Sequence, residues 1–517
     1  MRRWRKKVKV FLGSATLLVL TFVLVEHIRG WWALGHRLKL LKAEGEEFSI
    51  DHLAPQRPPP DQNAYLVLER LTNQISALLT NLDDVPPSLH FAALGKGIVA
   101  WRLKEWIPLG RKTTNDWSRM GPALADASNL FDRIHLALQK PAYDSGFDYD
   151  KGFQQMYLPS LSTVKQTAQV LSAETLFEMN QGHFEAAHER VEDLVKLVRG
   201  QTPEPLLILQ LMRQACFSFA FNDTWEALQV PIWSEAQLAS LQSAWEDCQL
   251  ARDLAASMVM ERALNLDYYQ QLKHSHAKLS AALQVREAVE EMTDGGFGQA
   301  FGSLPTHGFF LHWVHAPLWQ LAWADQDALF ALNRWQSVIF LERKARSNSW
   351  AAVSSQARTE PGENPFLPML GHVGQLGFYD KLRFLFAKET FSVNDIVTRR
   401  TLELQTQQQM VLTAIAIGRY RLAHGTLPPD LSSLVPTFLK MLPRDCMDGN
   451  VLRYELSQAG SFVLYSVGDD GRDNGGDPTA SDPKKNYMRI WDGRDAIWPA
   501  PATDEEAASA FKSNIGQ

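Results

Sequence analysis

The stretch VFLGSATLLVLTFVLV, Val10 to Val25, holds sixteen residues without a charge directly behind a basic start. At about 1.5 Å per residue it spans roughly 24 Å as a helix, against a bilayer core of about 30 Å. Lys9 can snorkel at one end, and Trp31 and Trp32 can sit in the interface beyond the other. A secretory signal also opens basic and then turns apolar. The following EHIRGWWALGHRL lacks a small-x-small cleavage site, so an uncleaved transmembrane anchor over residues 10–28 is the expectation. Arg2, Arg3, Arg5, Lys6, Lys7 and Lys9 make residues 1–9 a basic cytoplasmic tail under the positive-inside rule. The bulk of the chain is then expected outside the cytoplasm, as a single-pass protein of a bacterial inner membrane. A second run of comparable length does not occur.

The chain has 517 residues and a net charge of −6, so the body behind the basic tail is more acidic than the total suggests. An acidic body argues against a nucleic-acid surface. Cys216, Cys248 and Cys446 are odd in number and show no paired spacing, which reads as free thiols. After the anchor, residues 29–63 read as a juxtamembrane segment and a spacer, because DHLAPQRPPPDQN is rich in proline and polar residues.

Residues 64–390 read as an extracytoplasmic helical domain. Leu66, Leu68, Leu71, Ile75, Leu78, Leu79 and Leu82 recur near a 3.6-residue period. Similar stretches lie at 160–198, 205–228, 234–264 and 322–345, and strand-like alternation is nearly absent. TDGGFGQAFGSLPTHG and RSNSWAAVSSQARTEPGENPF read as loops. This predicts one irregular helical bundle. Within it, LFEMNQGHFEAAHERVEDLVKLV places Gly182 at a helix-to-helix turn, with Phe184 and Ala187 facing back. It resembles the centre of one tetratricopeptide repeat, without a second copy at that period.

Catalytic signals are weak. His312 and His315 in HWVH have a spacing two metal ligands could use, amid Trp313, Trp319 and Trp323. HExxH, Gly-x-Ser-x-Gly, a P-loop and the dinucleotide fingerprint are all absent from the sequence. Glu261-Arg262 reads as an intrahelical or interhelical ion pair, which implies no chemistry. His274 and His276 read as solvated.

Residues 391–500 read differently, with 501–517 as a tail. A long amphipathic helix is ended by His424-Gly425 and Pro428-Pro429. Asp430 to Leu434 follows as a short helix, then a tight turn at Asp448-Gly449. VLRYEL and FVLYSV form a hairpin, and NYMRIW is a third strand candidate. The predicted fold class is therefore mainly α: one transmembrane helix, a large irregular bundle, and a small C-terminal α+β domain of a long helix and an antiparallel sheet.

AIAIGRYRLAHGTLPPDLSSLVPTFLKMLPRDCMDGNVLRYEL followed by FVLYSVGDDGRDNGGD resembles the C-terminal domain of the major pseudopilin of type II secretion systems. The resemblance covers about residues 402–491. It implies an extracytoplasmic α+β head whose aspartate loop binds calcium, with Asp470 and the Val467 carbonyl as carried-over ligands and Asp477 and Asp482 beside them. Calcium takes six to eight oxygens at about 2.3–2.6 Å, and glycines let a loop fold around it. The chain departs from the family in having Arg489 before Ile490, where an aspartate is expected. Gly13 precedes Ser14, and Leu18 stands where pseudopilins carry a glutamate for processing. The resulting expectation is a non-enzymatic, membrane-anchored envelope protein making contacts with the lipid bilayer through residues 10–28 and with other envelope or secretion proteins. A membrane-tethered hydrolase with its site in the helical domain is the alternative.

Overall fold

The structure, a computed structural model, describes residues 2–515 apart from 83–84, 86, 107–113, 153–159, 201–203, 231, 249, 293–310, 360–376, 388–393, 458–459 and 483–488. The protein is mainly helical, as its composition of amphipathic stretches requires. Its first element is one unbroken helix, Arg2–Ala43, of 42 residues. The portion Lys9–Ala43 is long and apolar enough to cross a membrane, and only 6% of its most apolar window is buried in the protein. Val10, Leu17, Leu18, Leu20 and Leu24 are all exposed, which separates this helix from a core helix.

The helix does not give way to a linker after residue 28. Its second half is clamped along Ala324–Ser347: Arg29 donates to Gln326 (3.0 Å) and Arg37 to Asn333 (3.1 Å), while Leu34 and Leu41 are buried. Tertiary packing therefore continues the helix to Ala43, where Gly45 (φ +88°) turns the chain; the proline-rich segment comes later, with Pro60–Gln62 as a 3-10 turn.

Ala64–Asn81 is the helix read from the leucine spacing, capped by Asn63, whose side chain accepts from Tyr65 N–H. Ser160–Gln181 and Phe184–Arg199 are the antiparallel hairpin, turned at Gly182 with φ +79°. Ala187 is fully enclosed between them, which is why a small residue stands there. Leu207–Ala227, Glu235–Glu246 and Leu250–His274 complete the bundle.

Two expectations change. Strands do occur in the helical region: His90–Ala93 and Lys96–Ile98 form an antiparallel hairpin, and Glu105–Trp106 pairs with Asn115–Asp116. They are too short to show alternation in sequence. Trp350–Thr359 is a helix rather than a loop, with the Ser349 hydroxyl accepting from Ala352 N–H at its start. Residues 293–308 and 360–366 of the expected loops lie outside the described residues.

Near the C-terminus, Asn394–His424 is a single helix of 31 residues ending at Gly425, φ +75°. Arg453–Leu456 pairs antiparallel with Phe462–Ser466 in the expected hairpin. The third strand is Ala496–Ile497, not NYMRIW. Ile490–Asp492 instead forms a 3-10 turn, in which the Asp492 carboxylate accepts from Arg489 N–H (2.7 Å); residues 486–488 lie outside the described residues.

The C-terminal elements do not form a separate core. One hydrophobic cluster runs from Leu68 through Phe217, Trp245 and Ile415 to Trp498. Gln408 donates to the carbonyls of Trp245 (2.6 Å) and Cys248 (2.8 Å), and the Trp498 ring meets Phe221 edge-on at 5.6 Å. A fragment cut at residue 394 leaves this apolar surface uncovered. Made alone, residues 394–517 are expected to show no cooperative thermal transition by circular dichroism, whereas the full chain melts cooperatively. A sharp transition in the fragment would show that the head folds by itself.

Candidate functional site

The aspartate loop is organised around a carboxylate that sequence reasoning passed over. Asp495 is 1% exposed and accepts from the N–H groups of Gly476 (2.8 Å), Asp477 (3.1 Å) and Asn474 (3.2 Å). A neighbouring centre forms on Asp445, fully buried, which accepts from Met447 N–H (2.9 Å), the Ser466 hydroxyl (2.9 Å) and Val467 N–H (3.0 Å). Arg453 then reaches Asp445 (3.3 Å), Asp448 (2.5 Å) and Asp473 (3.1 Å). Its guanidinium sets one positive charge among three acids, and the Gly475 N–H bond, followed by the bond from Arg453, holds Asp473 below the usual carboxylate range.

The residues expected to bind calcium sit around this framework. Val467 is buried, with its N–H spent on Asp445. The Asp470 carboxylate is turned back onto Arg472 N–H (2.9 Å). Asp477 accepts from Thr479 N–H (3.0 Å) and its hydroxyl (2.9 Å), with Arg494 3.5 Å away. Asp482 lines a separate cleft of about 190 Å³ with Arg399, Arg400, Glu403 and Asp469. Among the described residues no three His, Cys, Asp or Glu side chains come together as an ion would need. The inward-facing groups of the loop are N–H donors onto a carboxylate, whereas calcium needs converging oxygens.

His312 and His315 fall on one π-helical turn, Leu311–His315. His315 is buried, donates from Nε2 to the Leu382 carbonyl (2.7 Å) and lies edge-on to Trp323. That nitrogen is committed to the protein.

A stronger cluster joins three helices and carried no sequence signal, because its members are far apart in the chain. Arg190 spans Glu174, Glu189 and Asp193, each at 3.0 Å. His135 Nδ1 lies 3.0 Å from Asp193, and its Nε2 faces Glu189 at 3.4 Å. A catalytic His–Asp pair presents Nε2 to a hydroxyl. Here a second carboxylate takes that place, so the arrangement clamps Ser128–Leu138 to the hairpin. Of Glu261 and Arg262, the arginine forms an ion pair beyond its own helix, and the two do not pair with each other. Adjacent helical residues point about 100° apart, and Glu261 accepts from Leu207 N–H (3.0 Å) while Arg262 reaches Glu46 (2.9 Å).

Two further acids lie wholly inside, one helical turn apart on Leu207–Ala227. Glu226 accepts from Leu89 N–H (2.9 Å) and Ala100 N–H (3.0 Å), and Asp223 from the Ser172 hydroxyl (3.0 Å). Burial pushes each carboxyl up to about 8, against the bonds that lower it. No family model, curated protein or solved structure matches the chain.

Asp495→Ala is expected to cost about 2–4 kcal/mol, since it strands three partly buried N–H groups, and Asp470→Ala under about 1 kcal/mol, as an exposed site. Thermal melts of the full chain with and without millimolar calcium check this, and a calcium-dependent rise that Asp470→Ala abolishes would overturn it. The pH dependence follows from Asp223 and Glu226. Their folded pKa values lie above the unfolded ones, so the folded state holds the extra protons. Their contribution to stability is expected to be full below pH about 4 and to fall as pH rises towards about 8. An Asp223→Asn variant should flatten that slope in melts collected from pH 5 to pH 8.5.

Proposed function

We propose that this chain is an anchored, extracytoplasmic protein of the bacterial envelope that works through protein contacts, holding its C-terminal α+β head at a fixed place relative to the bilayer. The observation that carries the reading is the continuity of the N-terminal helix with the body. Past its apolar half, the helix runs on for residues 26–43, about 26 Å at helical rise, and is bonded to the body along that length. Just beyond its end, Glu46 is held by Arg262 (2.9 Å) and Arg343 (2.5 Å) and accepts from Gln336 (3.0 Å). The anchor is thus part of the fold rather than a tether.

The head supplies the surface. Met441 (74% exposed), Leu442, Val451 and Leu456 are exposed around the hairpin. The Arg444–Val451 bridge and the bond from Leu452 N–H to the Pro443 carbonyl (2.9 Å) lay the segment that carries Leu442 against the start of the hairpin that carries Val451. Exposed apolar side chains gathered in one place mark a contact surface more often than a solvated one. The resemblance of this same region to a pseudopilin head supports a partner among secretion or envelope proteins.

A photo-crosslinking residue at Met441 or Leu456, in cells making the full chain, is expected to give one discrete adduct with an envelope protein. The same group at Leu136, an exposed leucine on a different helix, should give none. Adducts at all three positions, or at none, would overturn the reading.

A further inference from the structure

Residues 311–323, LHWVHAPLWQLAW, form a continuous helical stretch made of Leu311–His315, Ala316–Leu318 and Trp319–Trp323. Its pattern is unusual for a water-facing element. One side, Leu311, His315, Ala316, Trp319, Ala322 and Trp323, is buried in the protein. The other side is also apolar: Trp313 is 70% exposed, Leu321 60% and Val314 46%. A helix apolar all round is stable where protein covers one face and hydrocarbon the other. Two of its three polar side chains agree, because His315 and Gln320 turn inward to the carbonyls of Leu382 (2.7 Å) and Leu272 (2.8 Å), while His312 is half-buried.

Its position along the N-terminal helix decides what covers the outer face. Trp323 meets Phe22 edge-on at 6.2 Å, and His27 donates from Nδ1 to the Leu321 carbonyl (2.9 Å). With Lys9 at one interface, the helical rise puts Phe22 about 20 Å and His27 about 27 Å along the axis. The far edge of a core about 30 Å thick then falls near Arg29. Trp31 and Trp32, both exposed, follow as interfacial side chains. Leu321 and Trp323 are therefore level with the last turns of the span, below the interface. The polar groups at this depth are covered by protein: Glu26 is 6% exposed, accepts from Gln326 (2.7 Å) and lies 3.3 Å from Arg29.

We propose that residues 311–323 are a second membrane contact, a half-immersed helix whose Trp313–Val314–Leu321 face meets the acyl chains of the leaflet from which the N-terminal helix emerges. The inference rests on the anchor reading, since depth is measured along that helix. Its consequence is mechanical: one helix leaves the body free to rotate about its axis and tilt, whereas a second contact beside it removes both freedoms.

The test uses the full chain in proteoliposomes of phosphatidylethanolamine and phosphatidylglycerol, with benzoylphenylalanine in turn at Leu18, Trp313, Leu321 and Leu136. After illumination, phospholipid adducts are read by mass spectrometry. Adducts at 313 and 321 are expected at yields close to that at 18 and roughly tenfold above that at 136, the contrast between acyl chains and water. Adducts at 18 alone would leave the anchor standing and overturn the second contact. Adducts at none of the four would overturn the anchor and this proposal together.

Discussion

The carboxylate of Glu226 holds the fold at its centre. It sits fully enclosed on Leu207–Ala227 and takes the N–H groups of Leu89 and Ala100, which bracket the hairpin His90–Ile98. One residue earlier, Trp225 donates from its indole to the Pro499 carbonyl (2.8 Å). The hairpin in turn pairs in parallel with Ala500–Pro501, and Ala502 N–H donates to the Gly97 carbonyl (2.7 Å). A single turn of one helix thus fixes the hairpin from the first hundred residues and the strand from the last twenty. Gly97 is where they close: a Cβ there would fall 2.7 Å from the Trp225 ring. A buried carboxylate is costly without partners, and here the backbone that it collects is the repayment.

A second joint works at the membrane end by the opposite electrostatics. Burial raises the Glu46 carboxyl, but bonds from Arg343, Gln336 and Arg262 outweigh it and hold the group down at about 2. Arg262 is fully buried, its guanidinium also donating to the Glu47 carbonyl (2.8 Å) and lying over the Phe48 ring at 4.2 Å. Removing either partner would leave a desolvated charge, the expensive way to break a buried pair. Burial raises the acids of the central joint, whereas bonds from its partners lower Glu46, so the two respond oppositely to rising pH.

Periodicity made much of the architecture legible. Leu68, Leu71, Ile75 and Leu78 are buried along Ala64–Asn81 as their spacing requires, and Gly425 ends the long helix where glycine can take a positive φ. The hairpin Arg453–Ser466 followed from alternation and a turn. What escaped were contacts between distant residues. Nothing near Asp495 in sequence reveals that three amides from residues 474–477 close on it. Asp470 looked more like a site because glycines surround it, yet its carboxylate serves only its own turn. The boundary near residue 391 was read from a change of pattern, but patterns report local structure, and Trp498 against Phe221 shows the core crossing it.

These joints matter for the proposed role because rigidity is transmitted along them. From Glu26 to Arg37 the anchor is bonded to Ala324–Ser347; that helix carries Gln336 and Arg343 onto Glu46, and Arg262 leads into Leu250–His274. From there the shared core reaches Asn394–His424 and the head. A head so mounted keeps its orientation to the bilayer. Meeting a partner in the same membrane then becomes a search in two dimensions with much of the orientational cost already met by the fold. A modest apolar surface such as Met441, Leu442, Val451 and Leu456 can suffice under that condition, because the effective concentration of two membrane-held surfaces is set by geometry rather than by the strength of each contact.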